Sequence, residues 1–115
     1  MKYMLLIYGN QETWDALDAV GMENVWSKHR ELMAELKASG EFVAADGLMT
    51  ADARVVRIRD GIPAVTDGPF SEAKEVLAGY YLVDCSLERA TELAARLPEA
   101  PYSPIEVRAL TEPYE

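Results

Sequence analysis

His29 and Asp67 are the two residues of this chain whose types are best suited to proton transfer. His29 is the only histidine among the 115 residues, and an imidazole gains and loses a proton near neutral pH more readily than other ordinary side chains. The Asp67 carboxylate could orient one ring nitrogen and leave the other free to take a proton from a substrate. The two residues together predict general acid–base chemistry that uses no metal.

Both residues also have purely structural interpretations. His29 falls on the apolar side of a predicted helix, where a histidine more often satisfies a hydrogen bond in the core than acts as a catalyst. Asp67 precedes a Gly-Pro pair, and an aspartate in such a turn commonly accepts hydrogen bonds from nearby backbone N–H groups. In the same way, Phe70 could be a plug that closes the core, and Lys74 could form a solvated ion pair with the glutamate that follows it.

Other kinds of site find little support in the residues. The single cysteine, Cys85, allows no internal disulfide, and its neighbour Asp84 disfavours the thiolate that a nucleophile needs. One cysteine and one histidine exclude a Cys-based zinc site and leave too few ligands for most others. No glycine-rich phosphate-binding loop occurs. We therefore expect neither a metal nor a cofactor.

The candidate residues must be positioned by strands and helices in a mixed order along the chain: one strand, a helix, four strands, a second helix and a last strand. A polar, glycine-interrupted stretch separates the first strand from a helix over residues 22–39, whose apolar residues recur at i, i+3 and i+4. A second helix is predicted over residues 87–97, and Asp60-Gly61 predicts a two-residue hairpin turn. The predicted strands cover residues 3–8, 42–45, 55–58, 62–66, 79–83 and 105–110. This order predicts a ferredoxin-like α+β sandwich, with two helices on one face of an antiparallel sheet.

Two of the strands carry apolar side chains on both faces of the predicted sheet. Residues 3–8 and 80–83 are apolar or aromatic at every position, and successive side chains of a strand project to opposite faces. Two helices can cover only one face, and an exposed apolar face usually marks an interface. We therefore predict a homodimer in which two sheets pack face to face about a twofold axis. The alternative is that the loops after residues 8 and 66 fold over this face.

The composition is that of one folded domain with an acidic surface. Half of the residues are hydrophobic (50%), and 11 Lys and Arg against 20 Asp and Glu give a net charge of -9. Such a surface repels nucleic-acid phosphates and anionic lipid head groups. No apolar run approaches the roughly 20 residues that span a bilayer, and the apolar start lacks a signal-peptide cleavage site. We expect one domain over residues 1–115, located in the cytoplasm, that binds neither nucleic acid nor membrane.

Residues 65–83 resemble the signature of a known family. Asp-Gly-Pro-Phe at residues 67–70, Lys-Glu at 74–75 and Gly-Tyr-Tyr at 79–81 together are similar to the DGPF-domain branch of the YCII-related family. The first strand, the helix that carries His29, the Asp-Gly hairpin and the last strand also fit. The resemblance therefore extends over nearly the whole chain.

Several expectations follow from this resemblance. It implies a dimeric α+β barrel built from ferredoxin-like protomers, and His29 and Asp67 match a His–Asp pair proposed as the active site of YCII-like proteins. The pocket wall would include Phe70 and Tyr80 or Tyr81, and Lys74 would be a further binding residue. The wider superfamily contains cofactor-free monooxygenases, lactone isomerases and haem proteins, so the fold does not select a reaction.

Three functions are compatible with these residues. We favour a small enzyme without a cofactor, in which His29 is the general base and Asp67 orients it, so that the two approach within about 3–4 Å beside a pocket for a small, partly apolar molecule. The second is a binding or regulatory module, because genes of the DGPF branch often neighbour those of extracytoplasmic-function sigma factors. It predicts no solvent-connected pocket at His29. In the third, both residues only satisfy hydrogen bonds of the fold.

Overall fold

A computed structural model describes residues 1–70 and 74–111 of the chain, which form six strands and three helices. Residues 71–73 of the motif and residues 112–115 of the C-terminal tail lie outside this description. The elements are β1 (Lys2–Gly9), α1 (Gln11–Val20), α2 (Met22–Ser39), β2 (Phe42–Gly47), β3 (Arg54–Arg59), β4 (Ile62–Asp67), β5 (Val76–Asp84), α3 (Leu87–Ala95) and β6 (Ile105–Ala109). The α+β class and the antiparallel sheet are as predicted.

Four of the strands form one antiparallel sheet in the order β2-β5-β1-β6. β1 lies in its interior, so that Leu5 is opposite Tyr81 of β5 on one side and Val107 of β6 on the other. Paired residues project to the same face of a sheet, and these three therefore point to the same side. The arrangement is consistent with a ferredoxin-like α+β fold.

α2 and α3 cover the face of the sheet that carries Leu5. The buried side chains of α2 recur at helical spacing, at Val25, His29, Leu32 and Leu36, so the stripe that packs on the sheet also carries the histidine inward. Gly40 ends α2 in the left-handed conformation, with φ of 82°, as its position after the last apolar residue predicts. The core cluster comprises Tyr3, Leu5, Ile7, Leu32, Leu36, Tyr81, Val83, Ala90, Leu93, Ala94 and Leu97.

α1 occupies the stretch between β1 and α2 for which the apolar pattern predicts no helix. Asn10 caps it, because its side chain accepts a hydrogen bond from the Thr13 backbone N–H at 3.1 Å while the Thr13 hydroxyl accepts one from the Asn10 N–H at 3.2 Å. Only Thr13 and Leu17 of this ten-residue helix are buried, so its apolar stripe is too short to stand out. The Asn-x-x-Thr capping box is the local signal that indicates the helix.

β3 and β4 form a separate two-stranded hairpin. The turn residues Asp60 and Gly61 have φ of 52° and 77°, which confirms the predicted two-residue turn with positive φ. Val56 faces Val65 and Ile58 faces Pro63. We call these four side chains the hairpin stripe, and its Val and Ile members are 58–66% exposed.

The second face of the four-stranded sheet carries Met4, Leu6 and Leu82, and we call it the open face. Leu6 is buried and its two neighbours are half-buried. The molecule measures 49 × 43 × 19 Å, and its smallest dimension is about the thickness of one sheet and one layer of helices. The predicted homodimer would cover this face and remains a prediction. None of the helices in residues 1–70 and 74–111 has the length and apolarity required to cross a membrane.

Candidate active site

His29 lies on the buried side of α2, which faces the sheet, and each of its ring nitrogens forms a hydrogen bond. Nδ1 lies 2.6 Å from the Tyr81 hydroxyl oxygen, and Nε2 lies 2.8 Å from Oε2 of Glu99. The His29 side chain is 9% exposed, so bulk water has little access to the imidazole. A carboxylate, an imidazole and a phenol thus form a continuous chain, which we call the relay.

Three different elements bring the members of the relay together. α2 supplies the histidine, and β5 supplies Tyr81, whose position opposite Leu5 directs its ring to the covered face. Glu99 lies in the turn after α3, where its backbone carbonyl accepts hydrogen bonds from the N–H groups of Tyr102 at 2.9 Å and Ser103 at 3.1 Å. The turn is therefore fixed by its own backbone, and the Glu99 side chain is held against the imidazole.

The relay has one hydrogen-bond pattern that satisfies a neutral imidazole. The Nε2–H donates to the Glu99 carboxylate, and Nδ1 accepts from the Tyr81 hydroxyl. Burial, and then the negative charge of Glu99, raise the pKa of Tyr81 well above its usual value, so that this phenol keeps its proton at neutral pH. The hydroxyl oxygen of Tyr81 retains lone pairs that can accept a proton as its own proton passes to His29.

The relay borders a pocket of about 580 Å³ between the helices and the β2–β5 end of the sheet. This volume is within the range of small-molecule sites. The Trp26 ring lies at its wall, 6.2 Å from the His29 ring between centroids. The larger apolar side chains of the wall are Ile7, Trp14, Leu17, Met22, Val25, Trp26, Met33, Leu48 and Met49. A mostly apolar cavity with a few convergent polar groups is typical of a binding site.

The structure places Tyr80 and Tyr81, but not Asp67, with His29. Both tyrosines line the pocket, and only Tyr81 bonds the imidazole. Asp67 ends β4, where its side chain is 96% exposed and lies 3.8 Å from Arg54. Because both ring nitrogens of the histidine are occupied by other groups, the expected approach of His29 and Asp67 does not occur within one protomer. The carboxylate at the imidazole is that of Glu99, and a catalytic role for Asp67 stays a prediction.

Phe70 and Lys74 also lie away from this pocket. Phe70 is exposed, with the Arg57 guanidinium 5.6 Å from its ring centroid, so it is not a plug of the core. Lys74 is exposed as well. Neither is among the described residues that line the pocket, and their roles in binding stay predictions.

Glu99 is the member of the relay that the sequence did not indicate. It is 70 residues from His29 in the chain and belongs to a proline-flanked turn, so neither spacing nor periodicity connects the two. Only packing of α3 on the sheet brings the turn to the imidazole. A glutamate in a short turn is normally exposed, and the burial of Glu99, which is 9% exposed, could not be derived from its neighbours.

Two other kinds of site, a metal site and a cysteine nucleophile, can be checked in the part of the chain that the structure describes. No cluster of three or more His, Cys, Asp or Glu side chains could hold a metal ion there. Burial and the charge of Glu41 raise the pKa of the Cys85 thiol, and Asp84 adds a smaller effect. The thiolate is therefore disfavoured, as expected from the sequence.

Comparisons with known proteins agree with the resemblance at the level of the family. A model of the YCII-related domain matches residues 1–112. An uncharacterized protein of Rhizobium meliloti (strain 1021) is 35% identical over an alignment of 111 positions, and the alignment covers 87% of this chain and 82% of that protein. The region that the family model matches, residues 1–112, includes every strand and helix described above.

Proposed function

The chain belongs to the YCII-related family, and from its pocket we propose that it is an enzyme of general acid–base chemistry on a small, partly apolar molecule. The observation that carries the proposal is the pair of hydrogen bonds on His29, 2.6 and 2.8 Å long, beside a pocket. As part of this proposal, the Asp-Gly-Pro-Phe motif supports assigning the chain to the DGPF branch.

In the proposed reaction the relay removes a proton from the substrate. The substrate proton passes to the Tyr81 oxygen while the proton of that hydroxyl passes to Nδ1 of His29. The imidazolium that forms keeps its hydrogen bond from Nε2–H to the Glu99 carboxylate, and the negative charge of Glu99 stabilises the imidazolium. Tyr81 is again a neutral phenol at the end of the step, which suits the raised pKa of this group. The reverse sequence returns the proton to another atom of the substrate.

The pocket supports this proposal more than it supports a regulatory module. A module tied to extracytoplasmic-function sigma factors predicts no pocket at His29, whereas the imidazole is one of the residues lining the cavity. A purely structural role predicts a polar group enclosed by the core. The relay instead lies at the border between the core and an apolar cavity, where a bound molecule can reach it.

Hydrogen exchange at carbon tests the proposed chemistry. A panel of small aromatic ketones, phenols and aminoketones in D2O is incubated with the protein, and carbon-bound deuterium is measured by mass spectrometry. We expect at least one compound to exchange faster with the protein, and Tyr81→Phe or Glu99→Gln to slow that exchange by about 10²- to 10⁴-fold, the usual contribution of general acid–base catalysis.

The chain contains a matched control for these two variants. The Tyr8 hydroxyl donates to a Glu106 carboxylate oxygen at 3.2 Å on the exposed part of the sheet, so Tyr8→Phe and Glu106→Gln remove the same groups outside the pocket. Both are expected to leave the exchange rate unchanged. Equal rates for the control and relay variants, or no protein-dependent exchange across the panel, would contradict the proposal. Asp67→Asn tests whether a second copy brings that carboxylate to the site, since the variant then slows exchange too.

We also propose that the protein is a homodimer through the open face. The half-buried Met4 and Leu82 and the two-layer thickness of 19 Å support this proposal, because a second sheet would complete their burial. Sedimentation at micromolar concentration should show two subunits for the protein and one for Met4→Arg. Val20→Arg, at an exposed apolar position on α1, is the control that should stay dimeric. A single subunit for the unmodified protein would exclude this dimer.

A further inference from the structure

The Glu99 carboxylate has one oxygen without a partner among the described residues. Oε2 is bonded to His29, but Oε1 is buried and forms no hydrogen bond. A buried carboxylate oxygen without a donor is costly, because it has lost water and gained nothing in return. Glu99 is also part of the pocket wall. A donor on a bound molecule can satisfy this oxygen once the carboxyl group turns to expose Oε1 to the pocket.

The charges around the pocket favour a cationic donor. Among its described lining residues, Arg30 is the one permanently charged base, and its guanidinium is exposed and bonded to Glu23 at 2.7 Å. The Asp46 side chain belongs to the open face, where it accepts a hydrogen bond from the Tyr80 hydroxyl at 2.8 Å. No described arginine or lysine of the pocket is paired with Glu99, in a protein of net charge -9. A carboxylate or phosphate ligand would add a second negative charge beside it.

The aromatic part of the wall suits the same ligand. Trp14 and Trp26 both line the pocket. Aromatic faces attract cations and also bury the apolar body that carries them. The wall therefore accommodates both parts of an amine that is attached to a small ring.

We propose that the pocket binds a small aromatic or alicyclic amine, whose ammonium group donates a hydrogen bond to Oε1 of Glu99. The inference rests on the proposed function, since it assigns the ligand class to the same pocket. It differs from that proposal in naming the charge and the donor of the ligand, which the relay alone leaves open.

Three probes with the same ring and a different polar group test the ligand class. Phenethylamine, 2-phenylethanol and phenylacetate are titrated at pH 7 into the full-length protein. Tryptophan fluorescence is the readout, because both tryptophans of the chain line the pocket. We expect phenethylamine to bind at least about tenfold more tightly than the alcohol, as a hydrogen bond to a charged group predicts, and phenylacetate to bind most weakly.

A pair of isosteric variants assigns the preference to Glu99. Glu99→Gln removes the charge and keeps the shape, and should lower the preference for the amine over the alcohol by about tenfold or more. Glu106→Gln, outside the pocket, should leave it unchanged. Retention of the preference in Glu99→Gln would overturn the assignment, and nuclear magnetic resonance of the single imidazole would confirm that this variant is folded.

The outcomes separate this inference from the proposed function. Three outcomes would each overturn the amine assignment: equal affinities for the three probes, tighter binding of phenylacetate, or no binding of any probe. Equal affinities would result if a water molecule satisfied Oε1. Exchange in D2O that depends on Tyr81 would still support the proposed chemistry in those cases. Conversely, amine binding without any protein-dependent exchange would support the ligand class and contradict the enzyme.

Discussion

The covered face of the four-stranded sheet and the β3–β4 hairpin are built from similar side chains but differ in packing. On the sheet, Leu5 and Val83 are completely buried beneath α2 and α3, whereas Val56 and Ile58 of the hairpin stripe are exposed by 59% and 66%. Both regions have apolar side chains facing one another across paired strands. Facing apolar side chains therefore occur on paired strands whether or not the face is buried, and burial depends on whether a helix or another sheet packs on that face.

Truncation of one side chain in each region should produce the largest difference between them. Leu5→Ala leaves a cavity in the core and is expected to lower the free energy of unfolding by about 2–5 kcal/mol. Ile58→Ala should change it by less than about 0.5 kcal/mol, as for an exposed position. Urea unfolding followed by circular dichroism gives both values. A loss for Ile58→Ala similar to that for Leu5→Ala would show that the hairpin stripe is covered in solution.

Addition of a methyl group should also be costly in the sheet. A Cβ at Gly9 would lie 2.5 Å from an atom of the Trp14 ring, so Gly9→Ala is expected to lower the free energy of unfolding by about 1–3 kcal/mol through overpacking. Gly47 is the matched control in β2, because a Cβ there has nothing nearer than 4.0 Å. An equal effect of the two substitutions would mean that the ring of Trp14 moves aside without cost.

The contribution of an ion pair to folding stability should also differ between the two regions, by a smaller amount that depends on pH. Hydrogen bonds from Arg89 and then Ser39 lower the pKa of Glu41 below its usual value of 4.5. Deprotonated Glu41 therefore stabilises the folded state above pH 4.5, and this contribution disappears as the pH falls through the lowered pKa. The difference in stability between the protein and Glu41→Gln, measured by thermal unfolding from pH 7 to pH 3, should decrease in that range.

The hairpin supplies the contrasting ion pair for this measurement. Arg54 and Asp67 are 3.8 Å apart and more than half exposed, and such a pair adds little to stability. Asp67→Asn is expected to change the free energy of unfolding at neutral pH by less than about 0.5 kcal/mol. A constant difference for Glu41→Gln from pH 7 to pH 3, or a large loss for Asp67→Asn, would contradict the distinction between the two regions.

Local signals predicted the strands and two of the three described helices, and tertiary packing produced the part of the site that they missed. The Asp60-Gly61 turn and the spacing of His29 with Leu32 and Leu36 depend on neighbouring residues, so both could be predicted. The partner of the imidazole depends on how the turn after α3 meets α2, so the sequence indicated Asp67 of the motif and gave no signal for Glu99. Tyr81 was predicted as a wall residue, but its bond to His29 required the register of β5 against β1.

Successive side chains of β5 project to opposite faces of the sheet, which brings the proposed dimer contact close to the proposed site of proton transfer. Tyr80 and Tyr81 are joined by one peptide bond, yet their side chains leave the backbone on opposite sides, toward the open face and toward the relay. A second subunit on the open face would therefore contact the residue next to the phenol of the proposed relay. The proposed subunit contact and the proposed proton transfer would then be separated by a single peptide bond.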